Sequence, residues 1–173
     1  MLCLRHAHDF DLDCVDRLEH LSFSEAEAPC RERLKDRIRV FPEHFWLLFD
    51  EGELVAYCGG MAANEPHLKD EMYADPSLHD PAGAWQMLFT VCSHPDLRGM
   101  GLARYVLEAC ADETRIRGKK GIVLTCKEEL VPFYERFGYA DEGVSPYSRH
   151  AGIAWHEMRL TFRQGRFGQA WGK

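Results

Sequence analysis

The chain has 173 residues, a formal net charge of −7, and compositions of 46% hydrophobic and 28% charged residues. That length suits one domain with a proper core and is too short for two comfortable ones. The acidic balance excludes a nucleic-acid binder held mainly by phosphate attraction and mildly favours a cationic small substrate. No apolar run approaches the ~18 residues that cross a bilayer.

Taken in chain order, Leu2–Arg5 reads as a short strand. Asp9 or Asp11 caps a helix that carries Leu12, Val15, Leu18 and Leu21 on one face. Ser24-x-x-Glu27 matches a capping box, and Pro29 leaves the start of the next helix open. Arg31–Val40 is helical and ends at Pro42. Phe45–Phe49 and Leu54–Gly60 form a hairpin around Asp50-Glu51-Gly52-Glu53. The polar stretch Asn64–Gly83, with a short helix at Leu68–Tyr73, is long enough to imply a function.

Ala84–Cys92 follows as a central strand, then an amphipathic helix over Leu102–Arg117, a strand over Gly121–Cys126 and a helix over Leu130–Phe137. This βαβ unit must be right-handed and parallel. Ala140–Ala151 connects to a last strand, Ile153–Phe162. The domain therefore spans residues 1–162, and 163–173, RQGRFGQAWGK, form a basic, glycine-rich tail. Seven cysteines, with no CxxC, lie mostly in apolar runs and read as reduced thiols. The N-terminus MLCLRHAHDF lacks the charged-then-apolar pattern of a signal peptide, so a cytoplasmic protein is expected.

The most informative run is Val91–Ala103, VCSHPDLRGMGLA, where an apolar strand turns through glycines into a helix. Gly99 and Gly101 let backbone N–H groups approach a ligand, and the first turn of a helix presents unpaired donors that suit a phosphate. The chain contains no GxxxxGK[ST] and no GxGxxG opening a first βαβ unit. What remains is R-x-x-G-x-A, filled by Arg98, Gly101 and Ala103, which resembles the acetyl-CoA signature of the GNAT superfamily of N-acyltransferases. A second run, Ile122–Tyr139, contains Leu124-Thr125-Cys126 and Leu130–Tyr139, LVPFYERFGY. It resembles the matching part of the serotonin (arylalkylamine) N-acetyltransferase branch, and the likeness extends from about Leu47 to Phe162.

The resemblance implies an α/β domain: a mixed, twisted sheet of six to seven strands with helices on both faces. It implies acetyl-CoA as co-substrate and acetyl transfer to a small primary amine by direct attack in a ternary complex. The N–H groups of Leu97, Arg98, Gly99, Met100, Gly101 and Leu102, with Ala103, would hold the pyrophosphate. Phe89, Thr90 and Val91 would run beside the pantetheine arm. Positive charge would come from Arg98, Arg104, Lys119, Lys120 and Lys127.

Tyr134 matches the branch's general acid, because a phenol of pKa ~10 keeps its proton at neutral pH and can give it to a thiolate. The branch's two strand histidines are replaced here by Trp85 and Met87, neither of which accepts a proton. An alkylamine is only roughly one part in two thousand neutral at pH 7, so a base must come from elsewhere. The candidates are His67, His79 and above all His150, or Glu27 or Glu71 acting through water. Trp85, Trp155, Tyr73 and Tyr147 could line an amine pocket. His6-x-His8 does not make a metal site, and no metal is expected. The resemblance leaves room for a homodimer without fixing an interface. A peptide acceptor, or an acyl-CoA sensor without turnover, is the alternative.

Overall fold

The structure, a computed structural model, describes residues 1–163. Strands β1 (Leu2–His6), β2 (Phe45–Asp50) and β3 (Glu53–Gly59) pair antiparallel. Glu51 and Gly52 make the β2–β3 turn with φ of 48° and 89°. The run Phe45–Leu48 is apolar without alternation because both faces of this sheet are covered. Phe45 and Leu47 face helices α1 (Leu12–Ser22) and α2 (Arg31–Val40). Trp46 and Leu48 face helix α4 (Leu102–Ile116).

A second sheet has the order β4 (Ala62–Ala63), β5 (Trp85–Leu88), β7 (Gly121–Cys126), β9 (His156–Thr161) and β8 (Ala140–Val144). Strands β5 and β7 are parallel, as the βαβ reading requires, with α4 as the crossover. Two short helices complete the chain, α3 (Asp70–Ala74) and α5 (Val131–Glu135). No helix among the described residues is long and apolar enough to cross a membrane.

The mixed α/β architecture matches the expectation, but nine strands in two sheets replace six to seven in one. The stretch expected as one strand over Ala84–Cys92 divides at Phe89 into β5 and β6 (Thr90–Ser93), and β6 leaves for the edge of the first sheet beside β3. Phe89 is held at this changeover by its N–H, which donates to Gly59 O at 2.8 Å, and by the Arg37 guanidinium 4.8 Å above its ring. Part of the presumed connection Ala140–Ala151 forms β8, whose polar, exposed residues hide the strand from a hydrophobicity pattern.

The Ser24–Glu27 pattern closes an isolated turn instead of opening a helix. Ser24 Oγ donates to Glu27 Oε2 at 2.6 Å, and the next helix starts only at Arg31, beyond Pro29. Of the expected tail, everything from residue 164 lies outside the described residues.

Where the two sheets meet, Gly60 has no room for a side chain: a Cβ there would lie 1.8 Å from Met87 O. Gly60→Ala is expected to lower the unfolding free energy by roughly 1–3 kcal/mol, read from urea denaturation.

Candidate active site

Strand β5 stays paired with β7 as far as Leu88–Leu124. Past Phe89 the two lines of chain part: β6 pairs with β3 alone, while Thr125 and Cys126 of β7 continue beside β9. A cleft of about 1510 Å³ opens between them, lined on one wall by Thr90, Val91 and Ser93 and on the other by Thr125, Cys126 and Lys127. As an edge strand β6 presents unpaired backbone donors and acceptors to this cleft, and an extended amide-bearing ligand can pair with such an edge.

The glycine turn forms the mouth of the cleft. Gly99 and Gly101 have φ of 82° and 79°, a conformation glycine adopts without penalty. The N–H groups of Gly99, Gly101, Leu102 and Ala103 make no backbone hydrogen bond among the described residues, and these four residues line the cleft together with Arg98. Two of the expected contacts lie elsewhere. Leu97 donates its N–H to His94 O at 2.9 Å and packs away from the cleft, and Met100 points into solvent. Of the expected cations, Arg98, Arg104 and Lys127 line the cleft. Lys119 does not, because its Nζ donates to Pro81 O and Gly83 O in the interior; Lys120 also lies outside.

Strand alternation places the side chains of Thr90 and Cys92 on the α1 side of the sheet and Val91 on the α4 side. Tyr134, at the end of α5, belongs to the α4 side and lines the cleft. Its hydroxyl makes no hydrogen bond among the described residues, and burial holds the phenol well above its ordinary pKa. Burial likewise pushes the Cys126 thiol up to about 12, and Cys92 is raised too, so neither is a thiolate at neutral pH.

The α1 side carries an aromatic wall. His150 stacks on Trp155 with centroids 4.4 Å apart and on Tyr73 at 4.8 Å, and Tyr73 in turn packs on Phe89 at 4.8 Å. His150 lines the cleft; burial lowers its pKa, against the pull of Asp70, whose Oδ1 is 3.9 Å from Nδ1. Glu27 also lines the cleft, but Lys127 Nζ lies 2.7 Å from its Oε1 and holds it ionised, making it a weak base. Glu19 is a residue the sequence reading missed. Its position on the buried stripe of α1, where an apolar residue is expected, was the available signal. It is 1% exposed, accepts from Tyr57 Oη and from Thr90 Oγ1 at 2.7 Å, and lines the cleft.

Other candidates fall outside. Met87 is core, and Trp85 packs under the Arg159 guanidinium at 4.7 Å. His67 is tied to Glu157 at 2.7 Å and stacked on Tyr147 at 4.6 Å, and Glu71 is exposed away from the cleft. His67, Glu142 and Glu157 cluster like metal ligands, but the Arg159 guanidinium already bridges the two carboxylates, at 2.5 and 3.2 Å. Glu43, His44 and His79 cluster too. There the His79 Nδ1 lone pair accepts from Ala62 N at 3.1 Å, Arg117 lies 3.5 Å from His44 Nε2, and burial pushes His44 down to about 3. His79 thus keeps its proton on Nε2, and the neighbouring guanidinium opposes a second cation.

A parted sheet with a free strand edge, leading to a glycine turn and a helix N-terminus, can hold an extended ligand with amides along its length and phosphates at one end. The acetyltransferase (GNAT) family model matches residues 12–139, and the chain belongs to that family, whose co-substrate is acetyl-CoA. It is 31% identical over 163 residues to serotonin N-acetyltransferase of Mesocricetus auratus, covering 88% of this chain and 74% of that one. Among solved structures, the loading GNATL domain of CurA from Lyngbya majuscula superposes with a TM-score of 0.80 at 19% identity, covering 93% of this chain and 98% of that one. The GphF GNAT-like decarboxylase, in complex with isobutyryl-CoA, gives 0.77 at 20% identity, covering 93% and 100%.

Gly101→Glu puts bulk and negative charge among the free N–H groups. It is expected to raise the CoA dissociation constant by about tenfold or more in calorimetry, with Gly101→Ala separating backbone strain from charge.

Proposed function

We propose that the protein transfers the acetyl group of acetyl-CoA to a small primary amine, an aromatic one being the best fit, by direct attack in a ternary complex. The observation that carries this reading is the arrangement of the cleft about β6: Tyr134 lines it from the α4 side, while an aromatic wall and carboxylates line it from the α1 side. The serotonin N-acetyltransferase of Mesocricetus auratus supports an amine acceptor. The segment 64–83 supports a small one, since Leu68 and Met72 anchor it in the core and Tyr73 backs Phe89 and His150, closing the acceptor end.

In this reading the free N–H groups at Gly99, Gly101, Leu102 and Ala103 bind the pyrophosphate, and exposed Arg98 adds charge. The Phe89–Val91 stretch lies along the pantetheine, with the open edge of β6 as its hydrogen-bonding partner. Acetyl-CoA supplies an acyl group activated as a thioester. Tyr134, protonated throughout the neutral range, delivers a proton to the departing sulfur. His150 enters as a neutral imidazole of the acceptor wall, and Trp155 stacks behind it. All seven cysteines are free thiols, four of them buried, which favours a reducing, cytoplasmic setting.

Tyr134→Phe is expected to cut turnover by ~10²-fold, measured by thiol release, while the CoA dissociation constant changes little. Unchanged turnover would remove the acid role. A protonated Cys126 takes no covalent part, so Cys126→Ala should retain most of the rate and show no burst of acylated protein by mass spectrometry. If CoA binds and no amine in a broad panel stimulates thiol release, the sensor reading replaces this one.

A further inference from the structure

We infer that Glu19 takes the proton from the acceptor ammonium, and so sets the acceptor class as a basic amine that arrives charged. The inference deepens the amine-acetyltransferase reading and rests on it. Both hydroxyl donors, Tyr57 Oη and Thr90 Oγ1, go to the same oxygen, Oε1. Oε2 forms no hydrogen bond among the described residues, and its residue lines the cleft. A carboxylate held on one oxygen and left open on the other is positioned to accept.

Its placement is specific. Thr90 is the first residue past the Phe89 changeover, so Glu19 is fixed to the point where the cleft begins, on the face opposite Tyr134. The charged and titratable groups around it are Tyr57 and Cys92 on the sheet, Arg37 on α2 and His20 on its own helix. Burial outweighs Arg37, His20 and the two hydroxyls and raises the carboxyl above its ordinary value, which brings its basicity closer to the task. His150, across the aromatic wall, is lowered by burial.

The step balances. The ammonium N–H bond breaks and its proton joins Glu19 Oε2; the freed lone pair forms the N–C bond as the C–S bond breaks, and the sulfur takes the Tyr134 proton. The second nitrogen proton passes to water, which reprotonates Tyr134, and Glu19 releases its own to solvent, one proton per turnover.

Glu19→Gln keeps an oxygen for Tyr57 and Thr90 and tests the inference, with melting temperature as the folding control. With a primary alkylamine, kcat/KM near neutrality should fall ~10²-fold. The gap should close as pH rises toward the amine pKa of about 10.4, where solvent does the deprotonation. An arylamine, neutral at about pH 7, should lose little. CoA affinity should stay unchanged, and in ¹³C NMR the carboxyl signal absent from E19Q should titrate above about 4.3. A loss equal at every pH and for both amines would mean a structural role and overturn the inference. So would a wild-type rate, or a closing gap in His150→Gln in place of E19Q. If the wild type binds CoA and acetylates no amine, the functional reading falls first, which is a distinguishable result.

Discussion

The backbone hydrogen-bond ladder can serve only one neighbour on each side of a strand, and at Phe89 the chain changes neighbours. Up to Leu88 the ladder of β5 is shared between β4 on one side and β7 on the other; from Thr90 onward that of β6 is shared with β3. The far edge of β6 then has no strand to pair with among the described residues. Packing on both faces of the sheet fixes the strands that border the gap. Phe89 and Cys92 are anchored with α1 and α2, whereas Val91, Leu124 and Cys126 pack with α4. An unsatisfied edge in a cleft that packing keeps open is a standing invitation to a ligand with amides of its own.

Buried charge shows the same economy of partners. Lys119 reaches two carbonyls, and Glu157 takes the Leu68 N–H and His67. These groups use their polarity to tie loops to the core, and the desolvation of each is offset locally. Glu19 departs from that pattern because its Oε2 has no hydrogen-bond partner among the described residues. A group whose neighbours do not account for it is where chemistry is to be sought.

Much of the fold was legible in the sequence. The amphipathic α1, α2 and α4 and the hairpin β2–β3 announce themselves through periodicity and turn residues, and the glycine turn through composition. Three features were not legible, for physical reasons. The changeover at Phe89 leaves no glycine, proline or other turn residue in the run Ala84–Cys92, so nothing local marks the break. Strand β8 is exposed and polar, held by pairing with β9 alone. Glu19 contacts Thr90 from 71 positions away, a distance in sequence that no local pattern spans. Of the stretch expected to hold the cofactor, Phe89–Val91, Arg98, Gly99 and Gly101–Ala103 line the cleft, all from one continuous run; the facing wall is gathered from α1, α3 and the β8–β9 connection, which no local pattern joins.

Because successive side chains of β6 point to opposite faces, this one strand acts as a partition. Val91, Tyr134 and α4 lie on one face, while Thr90 with Glu19, and Cys92, lie on the other; in the proposed reading the first face serves the thioester and the second the acceptor. The two sets share no side chain on β6. Acceptor choice can therefore drift, or be redesigned, by exchanging residues of the early helices and the late loop while the donor apparatus is inherited intact.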